Sequence, residues 1–426
     1  MLIRVSSYLG KSTGKGALGI WTHNLKSIDF IYYESEHYNG SAIKMGAGVQ
    51  AFEAYYAADS HGLRVVGGDC PTVGLAGGYS QGGGHSILSS TYGLGADQTL
   101  EWEVVTADGM LVTASPTENS DLYWALSGGG GGTYGVVLSL TSKAHPDGEI
   151  GGASLAFNLP GISPDTYWDA ISLWHENLPN IVDSGAQAIY TIMNESFILD
   201  CLTWPGSSVS QVNALLQPFT TELEKRNITY SLNVTSFPSF VTHFNNFIGP
   251  LPFGPPLANA DQVTGGRLVP RSVVNTNNSA LTAALRNISS SGNFFFNLFG
   301  VNVSHALVGN NPSSNAVLPA WRDALMSIMV VGPWDFTVPR EEMVEREDEL
   351  TNSVMPQLEA VTPGSGAYLN EANFQQRNWQ EDFYGSNYEK LGSVKKKYDP
   401  SNLFYATTAV GSEAWTVASD GRLCRS

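Results

Sequence analysis

Between Gly67 and Ser86 runs GGDCPTVGLAGGYSQGGGHS, twenty residues with eight glycines and one of the chain's three cysteines. Backbone this bare can lie close against a large flat or phosphorylated ligand and aim several N–H groups at its oxygens. The plainer reading is a string of turns in a β-rich protein. A second cluster, Gly128 to Gly132, and the Cys-Pro-Thr-Val-Gly embedded in the first favour a ligand trough.

The same stretch excludes several chemistries. GYSQG at Gly78 to Gly82 satisfies G-x-S-x-G, but a nucleophile elbow needs a buried strand before the serine and a helix after it, and these flanks are glycine-rich. Gly82-Gly83-Gly84 has neither the spacing nor the long helix of a βαβ dinucleotide turn. GKST at Gly10 to Thr13 lacks the P-loop glycine five residues earlier, where Val5 stands. The eight histidines are scattered without H-E-x-x-H and the cysteines show no C-x-x-C, so no metal site is predicted. Single histidines such as His61 and His243 read as ordinary surface or core residues.

A chain of 426 residues, 42% of them hydrophobic, can fill two cores. Three textures divide it. Residues 1–150 are glycine-rich with β-prone runs: TLEWEVVTADGMLVTAS predicts two strands joined at Asp108-Gly109, and ENSDLYWALSGGG a short helix capped around Asn119 and Ser120. Residues 151–364 alternate between helix and strand, with helices over Ser163–Leu178 and Ser208–Arg226, a hairpin in AIYTIMNESFILDCLTW and a strand in ITYSLNVTSF. The expectation is an α+β domain of mainly antiparallel strands flanked by helices. Residues 365–426, rich in aromatic and amide side chains, are too few to fold alone and must return to something earlier.

A formal charge of -17 disfavours nucleic acid and anionic membrane, leaving small molecules as partners. No apolar run reaches the length of a membrane span, and MLIRVSSYLG is no secretion signal. An odd number of cysteines leaves at least one without an internal partner. Seven N-x-[ST] sequons, at Asn39, Asn194, Asn227, Asn233, Asn277, Asn287 and Asn302, lend mild support to a secretory origin.

These segments, with STYGLGADQTLEWEVVTADG, SGGGGGTYGVV and the C-terminal YLNEANFQQRNWQEDFYGSNYEKLGSVKKKYDPSNLFY, resemble the berberine-bridge-enzyme-like FAD oxidases of the vanillyl-alcohol-oxidase superfamily. The likeness is greatest to fungal isoamyl-alcohol-oxidase-like proteins and oxidoreductases of secondary metabolism. The resemblance implies a PCMH-type FAD-binding domain and a substrate domain, with the C-terminal segment returning to the former. It further implies hydride transfer from a hydroxyl-bearing or related carbon to flavin N5 and on to O2. A carbohydrate oxidase and a catalytically silent remnant are the alternatives, and the oligomeric state is left open.

Residue by residue, Cys70 stands where the family joins a thiolate to the flavin ring. Thr72, Gly74, Gly77, Gly78, Tyr79, Ser80, Gly82, Gly83 and Gly84 would line the cofactor, with Tyr79 where plant relatives carry histidine. Gly132, Gly135 and Val137 would lie by the adenine half, and Tyr384, Asn387 and Tyr388 would close over the isoalloxazine. Glu371 takes the place of a tyrosine that removes the substrate proton in plant relatives; a carboxylate beside an apolar ring has a raised pKa and suits a general base, while a salt-bridged or surface glutamate is the alternative. Tyr368 and Asn370 would hold substrate or flavin, or pack the domain junction.

The pattern also breaks. Aligning YLGKST on the family places Ser6 at the flavin-linking histidine and Val5 at the glycine before it, so at most one covalent link, through Cys70, is expected. The family's domain begins well upstream of this start. The N-terminal half of the FAD-binding domain is therefore expected to be largely missing from a truncated form of a secreted parent, leaving a sheet edge and part of its apolar face exposed.

Overall fold

The computed structural model describes residues 2–3, 7–14, 17–254 and 262–426. Two antiparallel sheets organise the chain. The first has five strands in the order Ile28–Glu34, Asn39–Gly46, Val136–Lys143, Thr99–Val105, Leu111–Ala114. Asp108-Gly109 makes the hairpin turn as predicted, Gly109 taking φ 83°. Ile31 and Tyr32 of the edge strand are exposed.

Seven strands form the second sheet, in the order Tyr230–Phe237, Ile150–Asn158, Ser196–Pro205, Gln187–Ile192, Phe295–Gly300, Ala324–Pro333, Gln262–Pro270. Helices Pro164–Asp183, Val209–Lys225 and Arg271–Ser289 pack together over one face, enclosing a core that includes Trp174, Tyr190, Phe197, Leu281, Phe296 and Leu298. Ser163 caps the first of these by accepting from Thr166 N at 3.1 Å. That helix runs five residues past the predicted Leu178, through Pro179. The buried Ile181 and Val182 on its inner face offset the backbone bond a proline removes. Asn119 also departs from expectation: its side chain donates to Thr113 O at 2.7 Å instead of capping helix Ser120–Leu126.

Buried ion pairs bind the layers together, three of which bear on the site. Asp97 accepts from both terminal nitrogens of Arg322, at 2.9 and 2.8 Å, and from Leu94 N, Asn310 and Asn315. Arg267, on the edge strand of the second sheet, donates to Asp382 in helix Trp379–Tyr384 at 3.0 Å and to Thr362 Oγ1 at 2.8 Å. Lys395, in helix Tyr388–Tyr398, donates to Asp399, Thr133 O and Phe404 O. The last two fix the C-terminal segment against both the second sheet and the second glycine cluster.

Candidate active site

The cysteine loop is anchored from below. Helix Ala51–Asp59 begins with backbone donors that have no partner within the helix, and the loop answers them: Ala51 N donates to Val73 O and Phe52 N to Pro71 O, both at 2.9 Å. Tyr55, buried in the same helix, donates to Gly68 O at 2.7 Å. Cys70 is thereby held half-buried at the loop's crest, next to Asp69.

After Cys70 the chain passes through one wide turn, Leu75–Tyr79, and then reverses at Gly83 and Gly84, where φ is 108° and 73°. No strand precedes Ser80, which is buried, in keeping with rejection of the elbow. The protein's own side chains require several of these glycines to be bare. A Cβ at Gly67 would meet Tyr55 Oη at 2.4 Å, one at Gly82 would meet Asn370 Nδ2 at 2.5 Å, and one at Gly84 would meet Tyr79 O at 2.8 Å. Tyr79 packs beneath the reversal and donates to His85 O at 2.9 Å, fixing the residue that follows. Thr72 and Gly74 lie toward solvent on this loop, whereas Gly78, Ser80 and Gly82 are buried.

Onto this crest comes the segment 368–371 from the far end of the chain. Glu371 Oε1 lies 2.9 Å from His85 Nε2 and Oε2 3.1 Å from it. Asn370 donates to Gly78 O at 2.8 Å and to Tyr368 Oη at 2.9 Å. The Tyr368 ring stands edge-on to His85 and to Trp321, with Phe299 4.4 Å from the imidazole on another side. The charge of Glu371 also reaches the Cys70 thiol, so the fold brings Cys70, Tyr79, Tyr368, Asn370 and Glu371 together. His85 and Asp69 belong to this group as well and were not singled out from the sequence; a lone histidine closing a glycine run was the available signal.

The charges here act on one another. Burial alone would lower the His85 pKa, but Glu371 and Asp69 outweigh it and raise it above the ordinary histidine value. Burial and the charges of Asp69 and Glu371 push the Cys70 thiol up, so it is held as a neutral thiol. Burial also raises Asp69, with His85 opposing. Glu371 is ion-paired with His85 beside Cys70, Asp69 and Tyr368.

A second group forms around Gly128–Gly132. Gln81 O accepts from Gly128 N at 3.1 Å and Gly130 N at 2.8 Å, so one carbonyl joins the two glycine clusters. Tyr384 lies against Gly130 and donates to Thr408 O at 3.0 Å; Asn387 donates to Val317 O at 3.1 Å; Tyr388 donates to Glu413 at 2.8 Å. Gly132 takes φ 75° in this loop. Gly135 is pressed against Val104, and the Val137 side chain is buried in the first sheet's core, so both offer a cofactor only backbone. Val5 and Ser6, on which the absence of a histidyl link was argued, lie outside the described residues.

Among the described residues, Lys11 Nζ, Gln81 Oε1 and Asn370 Oδ1 on these segments are buried polar atoms with no hydrogen-bond partner. The Lys11 ammonium sits over the Phe383 ring, 5.5 Å from its centre, and burial lowers its pKa to about 7. Tyr8, three residues before it, donates to Asn370 O at 2.9 Å, tying this loop to the Glu371 segment. A buried cation with no acceptor calls for an anion, and buried amide oxygens call for donors. A ligand with phosphates and a hydrogen-bonding ring edge fits that set. Among the described residues no three His, Cys, Asp or Glu gather as metal ligands.

Gly266, on the edge strand of the second sheet, sets the position of the carboxylate: a Cβ there would fall 2.1 Å from Glu371 O. Gly266→Ala must displace that backbone, and the expected cost is about 1–3 kcal/mol of overpacking. A denaturation midpoint equal to that of the unsubstituted protein would refute the close approach.

The FAD binding domain family model matches residues 4–115, and the berberine and berberine-like model matches residues 367–411. FAD-linked oxidoreductase ZEB1 of Gibberella zeae is 46% identical over 419 residues, spanning 98% of this chain and 73% of that protein. FAD-linked oxidoreductase patO of Aspergillus clavatus is 49% identical over 418 residues, spanning 98% and 72%. The crystal structure of the VAO-type flavoprotein MtVAO615 from Myceliophthora thermophila C1 superposes with a TM-score of 0.95 at 46% identity, covering 100% of this chain and 77% of that one.

Proposed function

This chain belongs to the berberine-bridge-enzyme-like, VAO-type FAD-linked oxidoreductases, and on that footing we propose that it oxidises a hydroxyl-bearing carbon of a small organic molecule, with oxygen as electron acceptor. FAD, when bound, supplies the two-electron acceptor that takes hydride from that carbon. The observation that carries the reading is the His85–Glu371 pair, set beside Cys70.

Glu371 is the proton acceptor for the substrate hydroxyl. A carboxylate with two oxygens can keep one against His85 Nε2 and turn the other to substrate. His85 acts as the positioning residue, itself held by Tyr79 through its carbonyl and by Phe299 through its ring. Tyr368 and Asn370 hold the turn on which Glu371 sits, since Glu371 N donates to Tyr368 O at 2.9 Å. The residues that would hold the cofactor are Cys70 by its sulfur, the backbone from Thr72 to Gly84, Gly132 to Val137, and Tyr384, Asn387 and Tyr388. Lys11 is the cation available to its anionic oxygens.

The first test is colour. Purified protein is expected to show flavin absorbance that stays with the pellet on acid precipitation, whereas Cys70→Ala releases flavin to the supernatant. Flavin released equally from both proteins would remove Cys70 as the attachment point. Colourless, folded protein would end the proposal for this chain. Peroxide release on a panel of alcohols, sugars and aromatic metabolites then narrows the substrate.

A further inference from the structure

Side chains alternate between the two faces of a strand. In the second sheet, Tyr190 and Leu298 point into the helix-covered core, Tyr190 standing edge-on to Trp174 with ring centres 5.4 Å apart. Their neighbours Thr191 and Asn297, directly opposite each other in the register, point to the other face. Phe299 shares that face, and it is the ring 4.4 Å from His85. Two strand residues span about 7 Å. Thr191 and Asn297 are therefore placed beside the oxidation site, on the face that looks toward it.

A third residue joins them through a fault in the sheet. The pairing of Ser196–Pro205 with Gln187–Ile192 steps from Ile189↔Cys201 to Tyr190↔Leu199, and its pairing with Ile150–Asn158 steps from Ala153↔Leu202 to Leu155↔Leu199. Both registers pass over Asp200. A bulge of this kind re-aims the extra side chain. Asp200 is exposed, and its Oδ2 lies 2.8 Å from Thr191 Oγ1, while Asn297 Oδ1 lies 3.1 Å from the same hydroxyl. A hydroxyl carries one proton, so Thr191 satisfies only one of these two oxygens. Among the described residues no other side chain donates to either, and no cation pairs with Asp200.

We propose that Asp200, with Asn297 and Thr191, forms a substrate-recognition site that binds a hydrogen-bond donor on the molecule being oxidised, a second hydroxyl or an amine set several bonds from the reacting carbon. The inference rests on the reading that Glu371 marks where oxidation occurs. Unmet acceptors ask for donors, and a site built to bond such a group discriminates strongly against analogues that lack it.

The test compares α,ω-diols of four to eight carbons, and the matching amino alcohols, with the corresponding 1-alkanols, using the holoenzyme. The best diol or amino alcohol is expected to exceed its 1-alkanol by about 10²-fold or more in kcat/KM. In Asp200→Ala that ratio falls toward one, with the KM of the donor-bearing substrate rising more than its kcat falls. Asp200→Asn separates the two donors: a hydroxyl preference partly survives, and an amine preference is lost. A ratio near one in the wild type, or one that Asp200→Ala leaves unchanged, overturns the site while leaving alcohol oxidation standing. Should no alcohol turn over, the same compounds are read by thermal shift. A rise in Tm that Asp200→Ala removes upholds donor recognition at Asp200 and removes these alcohols as the oxidised class; no shift with any of them overturns the site.

Discussion

Glu371→Gln lowers the rate of substrate oxidation by about 10²–10⁴-fold, the usual contribution of a positioned proton acceptor. The amide keeps the shape of the carboxylate and can still accept a hydrogen bond, so the turn from Tyr368 to Glu371 and the cofactor residues stay in place. What it cannot do is take the proton. The substitution also carries a signature that a merely structural role would not produce. Glu371 is the larger of the two charges that raise His85; without it, burial dominates and the His85 pKa falls. The inflection of the kcat/KM profile that belongs to His85 therefore moves to lower pH. The stability effect has its own sign. A histidine whose pKa is raised on folding stabilises fully below its unfolded value, and that contribution fades as pH climbs through the folded one. The stability gap between the wild type and Glu371→Gln is accordingly widest in mild acid and narrows above the His85 pKa. An unchanged turnover on a competent substrate would remove Glu371 from the chemistry.

Asp97→Ala is expected to destabilise the fold by about 3–5 kcal/mol, the cost of leaving a buried cation without its partner. Asp97 receives donors from Arg322, Asn310, Asn315 and the Leu94 backbone, all buried or half-buried. Its removal strands the Arg322 guanidinium, which retains only Val303 O at 3.0 Å and Asn315 Oδ1 at 3.2 Å. The damage extends beyond stability. Short helix Gly95–Gln98 donates through Gly95 N to Gly84 O and through Ala96 N to Gly83 O, so loosening it frees the reversal that leads to His85. The midpoint in urea should drop sharply for Asp97→Ala, less for Asp97→Asn, and little for Asp108→Ala at the exposed hairpin turn. Equal midpoints for all three would show that the network contributes nothing.

The elements between Thr99 and Phe237 were largely readable, because their signals are local: a turn dipeptide, a serine-proline cap and alternation of apolar residues. The order of the seven-stranded sheet was not. Gln262–Pro270 ends up at the edge, beside Ala324–Pro333, through pairings no short window contains. The glycine stretch was recognised as special, yet part of its reason was hidden; Gly82 and Gly84 are bare to admit Asn370 and Tyr79, and the first of these contacts is made by a residue far along the chain. His85 carries no local signal for the same cause, since its partner lies 286 residues away. Asp200 is one polar residue within the predicted hairpin AIYTIMNESFILDCLTW, with no local signal of its own. Only the two register steps beside it distinguish it, and these depend on which strands become its neighbours.

The late arrival of Glu371 also fixes an order of events. During translation a polypeptide emerges amino end first and folds unit by unit. By the time both sheets have left the ribosome, Cys70, Asp69 and His85 are already present, but the carboxylate that completes them is still being made. Any flavin captured at that stage would sit in a protein unable to use it. On the proposed role of Glu371, competence would come only when the segment that carries it closes back over Cys70 and His85.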